Sequence, residues 1–216
     1  MTLFRLNRYG PGARCYDVVS LERPVYRVGR VLGISMLRLR TGDHVLDVGC
    51  GTGLNFPLLH RAVGRTGAVV GIDASEPMLA MAAKRVTAQG WSNVDVRRGD
   101  AAKMERLLRP GEMFDAVLYT YALSVIDDWE RAWDQGVAAL RPGGRALVVD
   151  LALPTGGGRV LSPLARVACF AGGSDPHRQP WRPLICRSPD AVQATARSGH
   201  IHLAAGTPPS RAQATG

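Results

Sequence analysis

Three acids and a glycine triplet carry the chemistry available to this chain of 216 residues. Asp47 sits inside the apolar run Val45-Leu46-Asp47-Val48, and glycines follow at positions 49, 51 and 53. Leu54, Phe56, Leu58 and Leu59 then recur at helical spacing. A buried strand, a glycine turn and a helix start in that order bring backbone N–H groups close to a nucleotide-like ligand. Glycine is needed because a Cβ would block close approach or the positive φ of the turn. The spacing is not that of a dinucleotide fingerprint, since the third glycine comes one residue early and Leu54 takes its place. A Gly-x-x-x-x-Gly-Lys-Ser/Thr phosphate loop occurs nowhere. Asp73 ends a second apolar run, Ala68 to Ile72, where a carboxylate can accept two hydrogen bonds from a ribose diol. Asp100 ends a third run beginning at Val94 and is placed to meet an adenine edge, while the residues behind it equally suit it as a helix N-cap.

An alternation of strands and helices must position these groups. Strands are predicted at Val45–Val48, Ala68–Asp73, Val94–Asp100, Phe114–Tyr119 and Arg145–Asp150, the last led in by Arg141-Pro142-Gly143-Gly144. Helices fall at about 54–63, 76–89 and 128–140, with Ser75 and either Asp127 or Asp128 as N-caps. This pattern predicts an α/β, three-layer, doubly wound sheet, mostly parallel. Upstream, Pro24 can open a helix whose stripe of Val25, Val28, Val31, Leu32, Met36 and Leu39 is expected to pack on the sheet. Arginines at 23, 27, 30 and 38 occupy its other faces and would suit a membrane surface. After the fifth strand, Gly156-Gly157-Gly158 forms a joint, and Val160 to Phe170 repeat at helical spacing until Gly172-Gly173. Residues 174–190 are expected to form an ordered loop with a short helix. Val192–Arg197 and His200–Ala205, joined by Ser198-Gly199, predict a tight hairpin. The tail, 207–216, is expected to fray.

Five segments in order, VLDVGCGTG (45–53), VVGIDASEPMLAMA (69–82), VRRGDA (96–101), FDAVLYTYAL (114–123) and LRPGGRALVVD (140–150), give the chain its resemblance to the class I S-adenosylmethionine-dependent methyltransferases. Within that family it is most similar to the ubiquinone/menaquinone-type and bacterial phosphatidylethanolamine-type enzymes. The resemblance implies a Rossmann-like domain over 41–206 closed at one sheet edge by the antiparallel hairpin, a basic helical cap over 1–40, and an acceptor-side lid within 155–190. It implies S-adenosylmethionine as cofactor, held by Asp47, Gly49, Cys50, Gly51, Gly53, Asp73, Ala74, Met78, Asp100, Ala101 and Tyr119. Asp47 would order the glycine turn or meet the cofactor's amino end. Tyr16-Asp17 matches a Tyr-Asp pair that precedes the core in the quinone- and lipid-methylating branch and folds over the cofactor there.

Charge is divided unevenly. Residues 1–40 hold eight arginines against Asp17 and Glu22, a net of +6; residues 155–216 hold seven against Asp175 and Asp190, a net of +5; the middle is −2. The basic excess therefore flanks a nearly neutral core, a distribution suited to anionic lipid headgroups or nucleic acid and equally produced by a general preference for arginine, with only Lys84 and Lys103 as lysines. No apolar run reaches membrane-span length, and the first residues lack a secretory signal. Cysteines at 15, 50, 169 and 186 show no paired spacing, so the expectation is a reduced, cytoplasmic protein, peripheral to a membrane through its basic flanks, with no metal site. Oligomeric state is not legible.

Methyl transfer from a sulfonium needs alignment and exclusion of water more than a catalytic pair. Tyr16, Tyr121 and His177 are the candidate catalytic groups, with His200, His202 and Trp181 nearby in the acceptor-side segments. After strand four stands Tyr119-Thr120-Tyr121-Ala122-Leu123-Ser124, with no Asn/Asp-Pro-Pro-aromatic turn and no Pro-Cys nucleophile, which counts against nucleobase methylation. The expected acceptor is a small, partly apolar molecule: a lipid, a quinone or a related metabolite. Two alternatives stand beside it: a nucleic-acid methyltransferase, and a non-catalytic S-adenosylmethionine-binding protein. Asp73→Ala is expected to weaken S-adenosylhomocysteine binding tenfold or more, about 1.4 kcal/mol, measured by titration calorimetry; unchanged affinity would remove Asp73 from the ribose.

Overall fold

The computed structural model describes residues 25–163, 166, 169, 173–175 and 177–209. Seven strands form one sheet: β1 (His44–Val48), β2 (Ala68–Asp73), β3 (Val94–Arg98), β4 (Phe114–Thr120), β5 (Leu140–Leu151), β6 (Val192–Ala196) and β7 (Ile201–Gly206). They lie in the order β3-β2-β1-β4-β5-β7-β6. The first five are mutually parallel, while β7 runs antiparallel to β5 and β6 to β7. The expected α/β sheet with its antiparallel C-terminal hairpin is what forms. β1, β4 and β5 read as nearly unbroken apolar runs because both their faces are covered, as parallel strands require.

Alternation along each strand splits the core in two. Val45, Leu118, Leu147 and Val149 face one side, where Ile34 of α1 (Arg27–Met36), Phe56, Leu59 and Val63 of α2 (Phe56–Val63), and Leu79 and Ala82 of α3 (Glu76–Gln89) cover them. Leu46, Val48, Tyr119 and Val148 face the other, covered by Met104 of a 3-10 helix (Ala101–Arg106), Trp133 of α4 (Trp129–Ala138) and Leu184 of α5 (Arg182–Arg187).

The N-terminal helix packs differently from its sequence pattern. Val31 and Leu32, central to the expected stripe, are each 42% exposed, whereas Gly29, Gly33, Ile34 and Leu37 are buried. A Cβ at Gly29 would come within 2.2 Å of the Tyr121 hydroxyl, and one at Gly33 within 2.6 Å of Val149. The two glycines, one turn apart, let the helix backbone lie directly on β5 and β7. Side-chain-free positions therefore bring the backbone closest to the sheet, while Val28, Met36 and Leu39 of the expected stripe pack on the core beside them and Val31 and Leu32 do not.

Helix caps also depart from expectation. Ser75 and Asp128 occupy N-cap positions of α3 and α4, yet neither side chain makes a capping bond. The Ser75 N–H goes instead to Asp73. In the third segment Gly156–Leu161 forms a 3-10 turn, and most of the helix expected from Val160 to Phe170 lies outside the described residues. The short helix expected within 174–190 is α5. The hairpin turns through Arg197, Ser198 and Gly199, all at positive φ, with Thr155 N–H bonded to the Ser198 carbonyl at 2.8 Å. No helix among the described residues is long and apolar enough to cross a membrane.

On the other face, Gly136 of α4 lies where a Cβ would sit 1.8 Å from the Tyr119 hydroxyl. Gly136→Ala is expected to lower stability by about 1–3 kcal/mol, read from urea unfolding, because buried Tyr119 has no room to move.

Candidate functional site

β1 and β4 are neighbours in the sheet, but the chain leaves β1 toward β2 and leaves β4 toward β5. A crevice opens at such a reversal, outside the carboxyl ends of the strands. The glycine loop lines one side of it. Gly49, Gly51 and Gly53 adopt φ of +71°, +55° and +75°, the region that only glycine enters freely. Gly49 is pressed against Ala122 and Gly53 against the Phe56 ring, whereas a Cβ at Gly51 would meet no atom within 4 Å. The Gly49 and Cys50 N–H groups both bond the Ile72 carbonyl, pinning the loop to the end of β2. Asp73 completes the pin: its carboxylate accepts from Gly51 N–H and Ser75 N–H, both at 2.8 Å. Asp73 is therefore a loop organiser as well as a ribose candidate, and burial raises its pKa against the lowering effect of those amides.

Beneath the loop lies a polar cluster that the sequence reading did not find. Asp47 is fully buried, and both its oxygens lie 3.0 Å from the Asn55 side-chain nitrogen. The same nitrogen donates to Thr120 Oγ1 at 2.5 Å. The Asn55 carbonyl oxygen accepts from Arg30 Nη1 of α1 at 3.0 Å. Asn55 thus joins β1, β4, the glycine loop and α1. Burial pushes the Asp47 carboxyl up to about 7, opposed by the Asn55 hydrogen bond and the Arg30 charge and reinforced by Asp73. The only hint in the sequence is a polar residue inside the otherwise apolar run Leu54 to Leu59.

The remaining predicted residues divide clearly. Ala74 is exposed beside Asp73, and Met78 is buried one turn into α3. Asp100, which is exposed, caps the 3-10 helix through Ala102 N–H at 2.9 Å, and Ala101 is buried behind it. Cys50 is buried with its thiol pKa pushed up by burial and by Asp47 and Asp73, so it is a packing residue. Tyr119 is a correction: β4's alternation turns it onto the α4 face, where it is fully buried and its hydroxyl donates to the Ala132 carbonyl at 3.0 Å. It belongs to the core and cannot touch a cofactor in the crevice. Tyr121, one pleat on, reaches the crevice side at a φ of +58°, with its hydroxyl donating to the Tyr26 carbonyl at 2.7 Å and the Arg30 guanidinium 5.2 Å from its ring centre. Such backbone strain in a non-glycine residue is held only where the surroundings impose it.

The structure ties the chain after β5 to the loop after β4. Ser174 Oγ donates to Ser124 Oγ at 2.7 Å, and Arg178 donates to the Leu123 and Ile126 carbonyls. Ser124 in turn satisfies buried Asp150 through its hydroxyl and its N–H. His177 lies exposed on this segment, its N–H bonded to Asp175. His200 is buried against the Ala152 carbonyl, and His202 stacks on Trp181 at 4.5 Å, so both are structural. Tyr16 lies outside the described residues.

The two buried carboxylates have a measurable consequence. Burial lifts Asp47 to about 7 and Asp150 to about 6, while an unfolded aspartate titrates near 3.9. Between those values the native state keeps protons that the unfolded chain has lost, so stability falls as pH rises from about 4 to 7. Glu112, Asp115 and Asp190 have lowered pKa values and act below that window. Asp73, raised by burial, adds to the decline, and His202, whose pKa burial lowers, offsets part of it below pH 6.5. Urea unfolding is expected to show a decline on the order of 1–3 kcal/mol from pH 5 to 7.5, flattened in Asp47→Asn. A profile that Asp47→Asn leaves unchanged would contradict the burial assigned to Asp47.

The geometry fits a nucleoside-bearing cofactor: an unobstructed glycine crest at Gly51, a carboxylate at the tip of β2 and a crevice at the strand reversal. Comparison with known proteins agrees. A family profile described as a methyltransferase domain matches residues 45–144. The ubiquinone/menaquinone biosynthesis C-methyltransferase of Pseudomonas entomophila is 32% identical over 143 residues, 65% of this chain and 55% of that protein. The 2-phytyl-1,4-naphtoquinone methyltransferase of Synechococcus elongatus is 32% identical over 157 residues, 71% of this chain and 64% of that protein. The chain thus spans about half to two thirds of the length of these relatives. A crystal structure of a SAM-dependent methyltransferase from Aquifex aeolicus superposes with a TM-score of 0.60 at 18% identity, over 88% of this chain and 96% of the other. With loop, strand order and sequence in agreement, the chain belongs to the class I S-adenosylmethionine-dependent methyltransferases and is similar to those of the ubiquinone/menaquinone type.

Proposed function

We propose that the protein transfers the methyl group of S-adenosylmethionine to a small, partly apolar acceptor of the quinone or lipid kind. The observation that carries this reading is the open glycine crest after β1 together with the aromatic pair just past the end of the neighbouring β4, Tyr121 and Tyr26, whose ring centres lie 5.2 Å apart. The relatives whose printed names concern ubiquinone, menaquinone and phytylated naphthoquinone support it.

When bound, S-adenosylmethionine supplies a methyl carbon on a sulfonium whose bonding pair leaves with sulfur. The chain's own residues have to hold, align and dry that site. Asp73 is placed to hold the ribose while its second role, through Gly51 N–H, keeps the crest in shape. Ala74, Met78 and Asp100 lie along the ends of β2 and β3, where an adenine would be held. The Tyr121 hydroxyl, committed to the Tyr26 carbonyl, is a donor and not a base. His200 and Cys50 are likewise committed or buried, which favours an acceptor that needs no dedicated base from this chain.

Membrane contact belongs to the same proposal. The outer surface of α1 exposes Val31 and Leu32 between exposed Arg27 and Arg38, an apolar patch edged with positive charge. A nucleic-acid acceptor draws support from the basic flanks alone.

The test uses methyl-labelled S-adenosylmethionine, purified protein and a lysate, followed by organic extraction, with Asp73→Ala as control. Label is expected in the organic phase with the wild type and strongly reduced with the variant. Label confined to aqueous macromolecules would reverse the ranking in favour of nucleic acid, and no transfer beside intact cofactor binding would leave a binding protein.

A further inference from the structure

Arg30 lies on a helix outside the segment that holds the cofactor loop, yet it reaches the two structures that border the crevice. One contact is its hydrogen bond to the Asn55 carbonyl oxygen, and the other is its position over the Tyr121 ring. The helix is seated for this by Gly29, whose missing side chain admits the Tyr121 hydroxyl, and by the Tyr121–Tyr26 hydrogen bond one turn earlier. The Asn55 amide has only one orientation that satisfies all its neighbours: nitrogen toward Asp47 and Thr120, oxygen toward Arg30. A guanidinium cannot accept a hydrogen bond and an ionised carboxylate cannot donate one, so Arg30 and Asp47 from opposite ends hold that amide in one orientation.

We propose that Arg30 is a positioning residue for cofactor binding: through Asn55 it orients and keeps ionised the Asp47 carboxylate beneath the glycine loop. This rests on the methyltransferase reading given above. The groups that set the charge of Asp47 among the described residues come from every side. They are Arg30 from α1, which favours the ionised form, and Asp73 from β2, which opposes it. The nearby Cys50 thiol is held neutral. From β4 comes only the Thr120 hydroxyl, and from the loop the Asn55 amide, neither of which titrates. A buried negative charge under the crest attracts the ammonium end of an amino-acid-bearing ligand far more strongly than it would in water. Removing Arg30 takes away the opposite charge that favours ionisation and one of the two anchors of the Asn55 amide. Asp47 then holds its proton to higher pH, and ligand affinity at neutral pH drops.

The experiment titrates S-adenosylhomocysteine into wild type, Arg30→Met, Arg30→Lys and Asp47→Asn from pH 5.5 to 8.5, with thermal unfolding as a check on folding. Wild-type affinity is expected to fall as pH drops through about 7. Arg30→Met should move that midpoint upward by roughly one unit and weaken binding about fivefold at pH 7. Arg30→Lys, which keeps the charge, should stay near the wild-type midpoint, and Asp47→Asn should bind with no such pH dependence. An Arg30→Met midpoint equal to wild type, with affinity lowered equally at all pH values or not at all, overturns the proposal and leaves Arg30 a packing residue. Failure of the wild type to bind at any pH is a different result: it removes the cofactor reading itself, and this inference with it.

Discussion

A single side-chain amide ties the crevice together. Asn55 lies where the glycine loop becomes a helix, and its nitrogen bridges Asp47 of β1 and Thr120 of β4 in a fully buried setting. A buried carboxylate without partners is costly, and one partner that also binds the neighbouring strand fixes the separation of two strand ends as well as the charge. The loop therefore starts from a defined height above the sheet. Its own amides then reach Ile72 and Asp73 on β2, so three consecutive strands of the sheet, β4, β1 and β2, set the shape of one turn.

Glycine acts at two levels. In the loop, positive φ at 49, 51 and 53 makes the turn, and two of the three positions are additionally crowded by Ala122 and Phe56. In α1, Gly29 and Gly33 have ordinary helical geometry, and their function is closeness: they place a helix backbone against the β5 and β7 side chains and within reach of Tyr121. That closeness brings the Arg30 guanidinium to Asn55. The result is a cap helix whose contact face is small and whose outer face carries Val31, Leu32 and arginines.

Two carboxylates on the strands that flank β4 take opposite routes to the same end. Asp47 is satisfied by one amide and by the distant charge of Arg30. Asp150 collects the Ser124 hydroxyl, the Ser124 N–H and the Leu151 N–H, and thereby fastens the loop after β4 to β5. Ser174 and Arg178 extend that fastening to the segment after β5. The ends of β1 and β5 are thus each built on a buried acid, one on either side of β4.

Local pattern alone determined the strands, their order of appearance, the glycine turn, the acids at 47, 73 and 100 and the closing hairpin. Periodicity and turn chemistry act over a few residues, and these elements obey them. The tertiary structure decided everything that depends on which residues meet across the sheet. Tyr119 and Tyr121 are two residues apart and look equally suited to a pocket, but one is turned into the α4 core while the other reaches the crevice at a strained φ. Asn55 and Arg30 are separated by 25 residues and Asn55 and Thr120 by 65, so no window of sequence contains their contacts. The contact face of α1 is legible only in part for the same reason: Val28, Met36 and Leu39 pack on the core, whereas Val31 and Leu32 do not. Hydrophobicity records what a side chain prefers, whereas burial at Gly29 and Gly33 comes from how closely a neighbouring sheet can approach a backbone with no side chain in the way.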